Sequence, residues 1–377
     1  MVKESRDILL KLVRVAIGWE HDFSLPEGVD WREVMVLANE QGVNAIAIDG
    51  LEILKDKNPN ALSSDIEKRI LLEAIGGLQA VENNNVHKLI ALQKLSTILD
   101  GKNIPFLIMK GFACAQYYPE PKHRPCGDID IYPGDKFEEC NEALKDAGVK
   151  SNPYYYRHSA SYINDVMIEN HKVLGDLRGP RKQTREFEKW LEREAGNSIK
   201  NGRLAKVMGT DINGGKYPTA NFNALFLPWH VSAHFAFEKV TLRHLLDWAL
   251  FLTHDGKDID VEMFREAKNR FTFGYSKISD ILTDLSIRHL GMPKDGVPSE
   301  IIEDANNVDR LISDKVLVYM FKGATRERDK DVWVFRWNNV KQIWRERWKY
   351  RQIFGMSFLQ FLLFKVYGVL FKVGEAD

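Results

Sequence analysis

The residues Gly127-Asp128-Ile129-Asp130-Ile131 place two carboxylates two positions apart in an otherwise apolar, β-branched stretch. On a strand, side chains alternate between faces, so Asp128 and Asp130 would point the same way, roughly 6.5–7 Å apart along the backbone. Carboxylates that close repel one another unless positive charge lies between them. A divalent metal ion, or a pair of them, supplies such charge. The bland alternative is a surface strand with solvated acids. The apolar flanks Ile129 and Ile131, and a Lys110-Gly111 pair seventeen residues before Gly127, weigh against it.

The elements around the motif follow from apolar spacing and breakers. Residues 1 to about 100 read as helical: Ile8 to Ile17, a helix pair over Trp31 to Leu51, and a long periodic segment from Ile66 to Leu99. The polar run Glu82-Asn83-Asn84-Asn85 interrupts the last of these and predicts a weak point in it. Ile104 to Met109 reads as a buried strand, and Phe112 to Tyr118 as a short helix stopped by Pro119 and Pro121. Asp128 to Tyr132 reads as the second strand. Lys136 to Ala147 reads as a helix closed by Gly148. Tyr154 to Arg157, Ser161 to Ile163 and Val166 to Glu169 read as strands, with Asn164-Asp165 as a hairpin turn. A helix over Thr184 to Glu194 follows. Arg203 to Met208 with an Asn213-Gly214-Gly215 turn predicts a second hairpin, and Trp229 to Phe237 and Leu242 to Thr253 predict strong helices. The resulting fold class is α+β. A helical N-terminal region covers 1–90, an α/β core 91–180, a mainly helical domain 181–330 and a Trp/Arg-rich helical tail 331–377.

Composition narrows the function classes. The 377 residues carry 53 Lys+Arg against 53 Asp+Glu, a formal net charge of zero, so no global basic field calls for nucleic acid. Three cysteines, Cys114, Cys126 and Cys140, share no CxxC spacing and fit a reducing, cytoplasmic setting. The first residues lack a continuous apolar run of the kind a signal peptide needs. No stretch of 18 uncharged apolar residues predicts a transmembrane span; Met356 to Val373 comes nearest, broken by Lys365 and Lys372.

The α/β segment resembles the nucleotidyltransferase superfamily typified by DNA polymerase beta. Within it, the chain is most similar to the uncharacterised bacterial nucleotidyltransferase-like branch. The resemblance rests on Lys110-Gly111, Tyr118-Pro119, Arg124, Gly127-Asp128-Ile129-Asp130 and Glu169-Asn170-His171, in that order, over roughly residues 90 to 255. It implies a minimal nucleotidyltransferase core that moves a nucleotidyl group from a nucleoside triphosphate to an unknown acceptor, whether small molecule, protein or RNA. It implies Asp128, Asp130 and Glu169 as the catalytic carboxylates that hold Mg²⁺ or Mn²⁺. It implies Lys110, Gly111, Arg124, Gly127 and His171 as groups around the nucleotide, the cations meeting phosphate oxygens and the glycines letting backbone N–H groups approach. A salt bridge to the aspartates is the structural alternative for Lys110 and Arg124. The stretch from Pro119 to Cys126 is longer than in many relatives and would either cover the site or decorate it.

Two further groupings stand apart. His230 and His234 are one helical turn apart, followed by Arg243, His244 and Asp247 on the next helix. A polar network knitting the two helices is the expected reading, with Asp247 and Arg243 as partners of the imidazoles. Zinc would need further ligands. The tail interleaves Trp337, Trp344 and Trp348 with Arg336, Arg345, Arg347 and Arg351. Packing on the body or on a second subunit is expected, and contact with a membrane surface is the alternative. Other functions left open are a catalytically inactive nucleotide-binding relative, a membrane-surface or interaction protein, and a metal hydrolase centred on His230 and His234.

Overall fold

The computed structural model describes residues 2–22, 24–26, 28–58, 65–152, 157–175, 181–237, 239–322, 341 and 344–361. Helices α1 (Val2–Ala16), α2 (Trp31–Glu40), α3 (Asn44–Lys57) and α4 (Asp65–Asp100) come first. The α/β part follows as β1 (Phe106–Met109), α5 (Gly111–Ala115), β2 (Ile129–Tyr132), α6 (Phe137–Asp146), β3 (Lys150–Ser151), β4 (His158–Ile163), β5 (Val166–His171), α7 (Arg181–Asn201), β6 (Leu204–Val207) and β7 (Thr210–Lys216). Helices α8 (Ala220–Phe237), α9 (Leu242–Asp255), α10 (Val261–Arg270), α11 (Tyr275–Leu290), α12 (Ser299–Asn306) and α13 (Arg310–Met320) complete the body, and a short helix, Arg347–Gln352, lies in the tail.

The strands form one mixed seven-stranded sheet in the order β3-β4-β5-β2-β1-β7-β6. β1 runs antiparallel to β2 and parallel to β7, while β2 runs parallel to β5. The sheet thus extends to residue 216, past the boundary at 180 that the sequence suggested. Period-two alternation sorts the residues onto two faces. Phe106, Ile108, Ile129, Ile131 and Ile168 pack with Leu92, Leu95 and Leu99 of α4 and Leu144 of α6. Leu107, Met109 and Tyr132 face the other way, into the larger core built with α7, α8 and α9. Asp130 lies between Ile129 and Ile131 in sequence and therefore shares the face of Met109 and Tyr132.

Several sequence expectations are corrected in detail. α4 runs unbroken for 36 residues through Glu82-Asn83-Asn84-Asn85. Its polar middle is an anchor rather than a break: the buried Asn85 amide donates to the carbonyls of Lys122 (2.7 Å) and Arg124 (2.9 Å) and accepts from the Cys126 N–H. The second hairpin turns at Met208-Gly209, both with positive φ, and Gly214-Gly215 lie inside β7 instead. Position 215 needs its glycine, because a Cβ there would sit 2.8 Å from the Ile212 side chain. The Asn164-Asp165 turn forms as expected, with φ of 50° and 62°, the primed geometry that suits a two-residue hairpin. The strand expected over Tyr154 to Arg157 falls largely outside the described residues.

The described part of the tail packs on the body. Lys349 is buried, its ammonium bonded to the Phe235 carbonyl at 3.1 Å, the Tyr319 hydroxyl at 2.9 Å and Glu346 at 2.6 Å. Tyr350 stacks on Phe361 at 3.6 Å between ring centroids. Trp333, Arg336, Trp337 and the end of the chain from 362 lie outside the described residues. Among the described residues, no helix is long and apolar enough to cross a membrane.

Candidate active site

The site grows from three strand ends. β2 and β5 pair in parallel with Asp130 directly beside Glu169. β4 and β5 pair antiparallel with His158 opposite His171. Glu169 and His171 are two residues apart and so share the Asp130 face. The side chains converge accordingly. His171 Nε2 lies 2.9 Å from Asp130 Oδ1 and 3.2 Å from Glu169 Oε2, and His158 Nε2 lies 3.5 Å from Glu169 Oε1. Ligand atoms of Asp130, Glu169 and His171 all lie within 4.8 Å of one another.

Lys110 follows the end of β1, whose Met109 is paired with Asp130. Its ammonium is 2.7 Å from Asp130 Oδ1. Its backbone has φ 47° and ψ −138°, a conformation L residues rarely adopt, and Gly111 follows at φ 25°. Strain of this kind, of order 1–3 kcal/mol, persists only where the surroundings enforce it. Gly127 is exposed, and a Cβ there would meet nothing within 4 Å, so the space beside this backbone is open.

Asp128 does not share the strand. It lies in the bend just before β2 and is exposed. It remains within the field of the cluster: lost hydration, then repulsion from Glu169 and Asp130, push its pKa up, against the pull of Lys110 and Lys88. Burial works against ionising Asp130, yet Lys110 and His171 outweigh it and hold that carboxyl well below the usual carboxylate range. Burial disfavours a charge on His171 too, but its bonds to Asp130 and Glu169 raise its pKa overall. The Nδ1 atoms of His158 and His171 are buried without a hydrogen-bond partner among the described residues. The arrangement is two acids, Asp130 and Glu169, held by one ammonium and two imidazoles, with the Asp128 carboxylate in their field.

Arg124 is placed elsewhere. It is 5% exposed and forks onto Asp247, itself 6% exposed, through Nε to Oδ1 at 2.8 Å and Nη2 to Oδ2 at 2.6 Å. The Tyr118 hydroxyl donates to the same Asp247 Oδ1 at 2.8 Å. Asp247 therefore belongs to Arg124 and Tyr118, not to the histidines as the sequence suggested. The surrounding stretch is pinned on several sides: Lys88 donates to the Cys126 carbonyl, His123 contacts Asp49 and Glu82, and Arg243 donates to the Pro125 carbonyl. It fastens the approach to β2 onto α3, α4 and α9.

The match to known families decides the identity. A family described as "Uncharacterised nucleotidyltransferase" matches residues 27–273. The chain belongs to this nucleotidyltransferase family. No curated protein and no solved structure matches it. The match reaches beyond the segment whose motifs carried the resemblance, taking in α2, α3 and α4 before it and α10 after it. In this nucleotidyltransferase α3 and α4 hold the loop that leads into Asp128 and Asp130, so the N-terminal extension of the match has a structural reason.

Sequence reasoning missed His158, which no spacing rule singles out because it reaches the site from the opposite strand of a hairpin. The grouping of His244 with His230 and His234 that the sequence suggested does form. His234 Nε2 is 3.1 Å from His230 Nε2, and the His244 ring centroid lies 5.1 Å from that of His234 and 6.0 Å from that of His230. The three rings bridge α8 and α9, as a packing network between those helices requires.

Proposed function

We propose that this chain transfers a nucleotidyl group from a nucleoside triphosphate to an as yet unidentified acceptor, with divalent cations held by Asp128, Asp130 and Glu169. The observation that carries the reading is the in-register pair Asp130 and Glu169, converging on His171 beside the Lys110 ammonium. The donor set fits a hard cation of the Mg²⁺ or Mn²⁺ kind: the Asp130 and Glu169 oxygens are close enough to share an ion, and the Asp128 carboxylate lies within their field. Bound there, such ions would neutralise the triphosphate and stabilise charge on the attacking and leaving oxygens.

The chain's own residues have definite tasks in this scheme. His171 Nε2 holds a proton between Asp130 and Glu169 and fixes both carboxylates in place. Lys110 must release Asp130 for a cation to bind there, and a freed ammonium at the site is a phosphate ligand. Gly111 and Gly127 leave the backbone open to a phosphate, as the empty space at Gly127 supports.

The Lys110–Asp130 pair also favours a second reading. A site already compensated by its own ammonium suits a relative that binds nucleotide without turnover. One experiment separates the readings: titrate each nucleoside triphosphate with Mn²⁺ or Mg²⁺, then follow pyrophosphate release with cell extract as acceptor source. Metal-dependent binding with release supports transfer, and binding alone supports the idle relative. An Asp128→Asn/Asp130→Asn double variant should lose metal-dependent binding with its fold intact. Undiminished binding in that variant refutes both.

A further inference from the structure

We propose that His230, His234 and His244 form a site for a transition-metal dication of the zinc type, bound by three imidazole nitrogens. It shares no ligand with the acidic site and does not rest on the nucleotidyl-transfer reading.

The His230–His234 pair already has the spacing of a chelate, and His244 lies close enough to complete it. One ligand atom from each ring can be chosen so that all three lie within 4.8 Å of one another. Two nitrogens bound to tetrahedral zinc at about 2.0–2.1 Å are about 3.3 Å apart. The Nε2 atoms of His230 and His234 stand 3.1 Å apart, with their rings at 79°. The i, i+4 spacing on α8 delivers these two, and His244 comes from the first turn of α9.

The third ring is held from behind. Thr241 caps α9, and its hydroxyl oxygen lies 3.0 Å from His244 Nδ1, with its N–H at 3.1 Å. Metal-bound histidines commonly donate the other ring N–H to an oxygen, which fixes the ring and its tautomer. In the α9 cap the Thr241 N–H donates to His244 Nδ1, so the neutral ring carries its proton on Nε2; a cation at Nε2 requires that proton to move to Nδ1, onto the Thr241 hydroxyl, with loss of the bond from the Thr241 N–H.

Neighbouring cations oppose a metal ion here, but they are not bare. Lys110 is paired with Asp130, and Arg243 lies beside the Arg124–Asp247 pair. Imidazole nitrogen selects zinc, cobalt or nickel over magnesium. The two sites therefore differ in chemistry: nitrogen here, mainly carboxylate oxygen at Asp130 and Glu169.

The test uses the full chain without a histidine tag, purified without chelator from zinc-supplemented cells. Elemental analysis should find about one zinc per chain, lost in His234→Ala and in His244→Ala but retained in Asp130→Asn. Adding Co²⁺ to chelator-stripped protein should give the visible absorption of a low-coordinate nitrogen site, displaced by Zn²⁺ and not by Mg²⁺. If a histidine variant fails to fold, the cobalt spectrum of the unaltered chain still decides. Absence of both zinc and a cobalt spectrum overturns the proposal, as does zinc retained in the His244→Ala variant. Nucleotide binding is scored separately, so failure here leaves the transfer reading standing, and the reverse.

Discussion

Arg124→Met separates a structural arginine from a phosphate-binding one. In the folded chain its guanidinium makes two short bonds to Asp247, and both side chains are removed from water. Removing one partner of a buried pair typically costs about 3–5 kcal/mol, because the remaining charge stays desolvated and unpaired. Here Tyr118 still donates to Asp247, which places the expected loss toward the lower end, about 3 kcal/mol. The pH dependence gives an independent signature. Burial raises the Asp247 pKa, and Arg124 is the main group that brings it below the ordinary value. Without Arg124 the burial effect dominates, so the folded-state pKa rises above that of the unfolded chain. A raised carboxyl destabilises at pH values above it, and the penalty fades as pH falls through the raised value. Guanidinium denaturation in the absence of nucleotide should show the full loss near pH 8 and a smaller one near pH 5. An Arg124→Met/Asp247→Leu double variant should recover most of it, since a buried pair replaced by apolar groups is often close to neutral. Unchanged stability with a selective loss of triphosphate affinity would refute this account and return Arg124 to the nucleotide.

Other residues give sharper, smaller tests. A Cβ at Gly50 would lie 2.0 Å from the Leu12 carbonyl oxygen, a backbone atom of the packed α1 helix. Gly50→Ala should therefore cost about 3 kcal/mol, whereas Gly76→Ala in open space should gain about 0.5–1 kcal/mol, both read from denaturant midpoints. Burial lifts Glu188 from 4.5 to about 7, against the pull of its bonds from the Leu174 and Gly175 N–H groups. Its raised pKa makes the fold lose stability as pH rises from about 4.5 to about 7, by up to about 3 kcal/mol. That slope should be absent in Glu188→Gln, and its persistence there would assign it to other groups.

The parts of the fold legible in the sequence were those set by local pattern. The run Ile104 to Met109, the alternation around Asp130 and the Asn164-Asp165 turn each carry their own signal, and each appears within a residue or two of its expected place. The order of acidic residues also led to Glu169, because a hairpin returning beside β2 puts that position in register with Asp130. What was not legible depends on contacts between distant segments. Arg124 reads as a free cation until Asp247 is placed next to it, 123 positions away. Asn85 reads as a helix breaker until the loop that needs its amide is folded against it. The reach of α4, β6 and β7 into the sheet's packing has no short-range sign at all. His158 escapes for the same reason: its partner Glu169 arrives from another strand.

The fastening of the 119–127 loop has a consequence for biosynthesis. The loop is secured by Asn85 and Lys88 on one side and by Asp247 and Arg243 on the other. Closing a segment across so long an intervening chain is entropically costly and comes late relative to local helix formation. A nascent chain that has formed β1, β2 and β5 already carries all three carboxylates, yet lacks the clamp that sets the approach to Asp128. The approach to Asp128 is therefore clamped only after α9 has emerged and docked, so a chain arrested before that point holds the acids without the full set of bonds that fixes this loop.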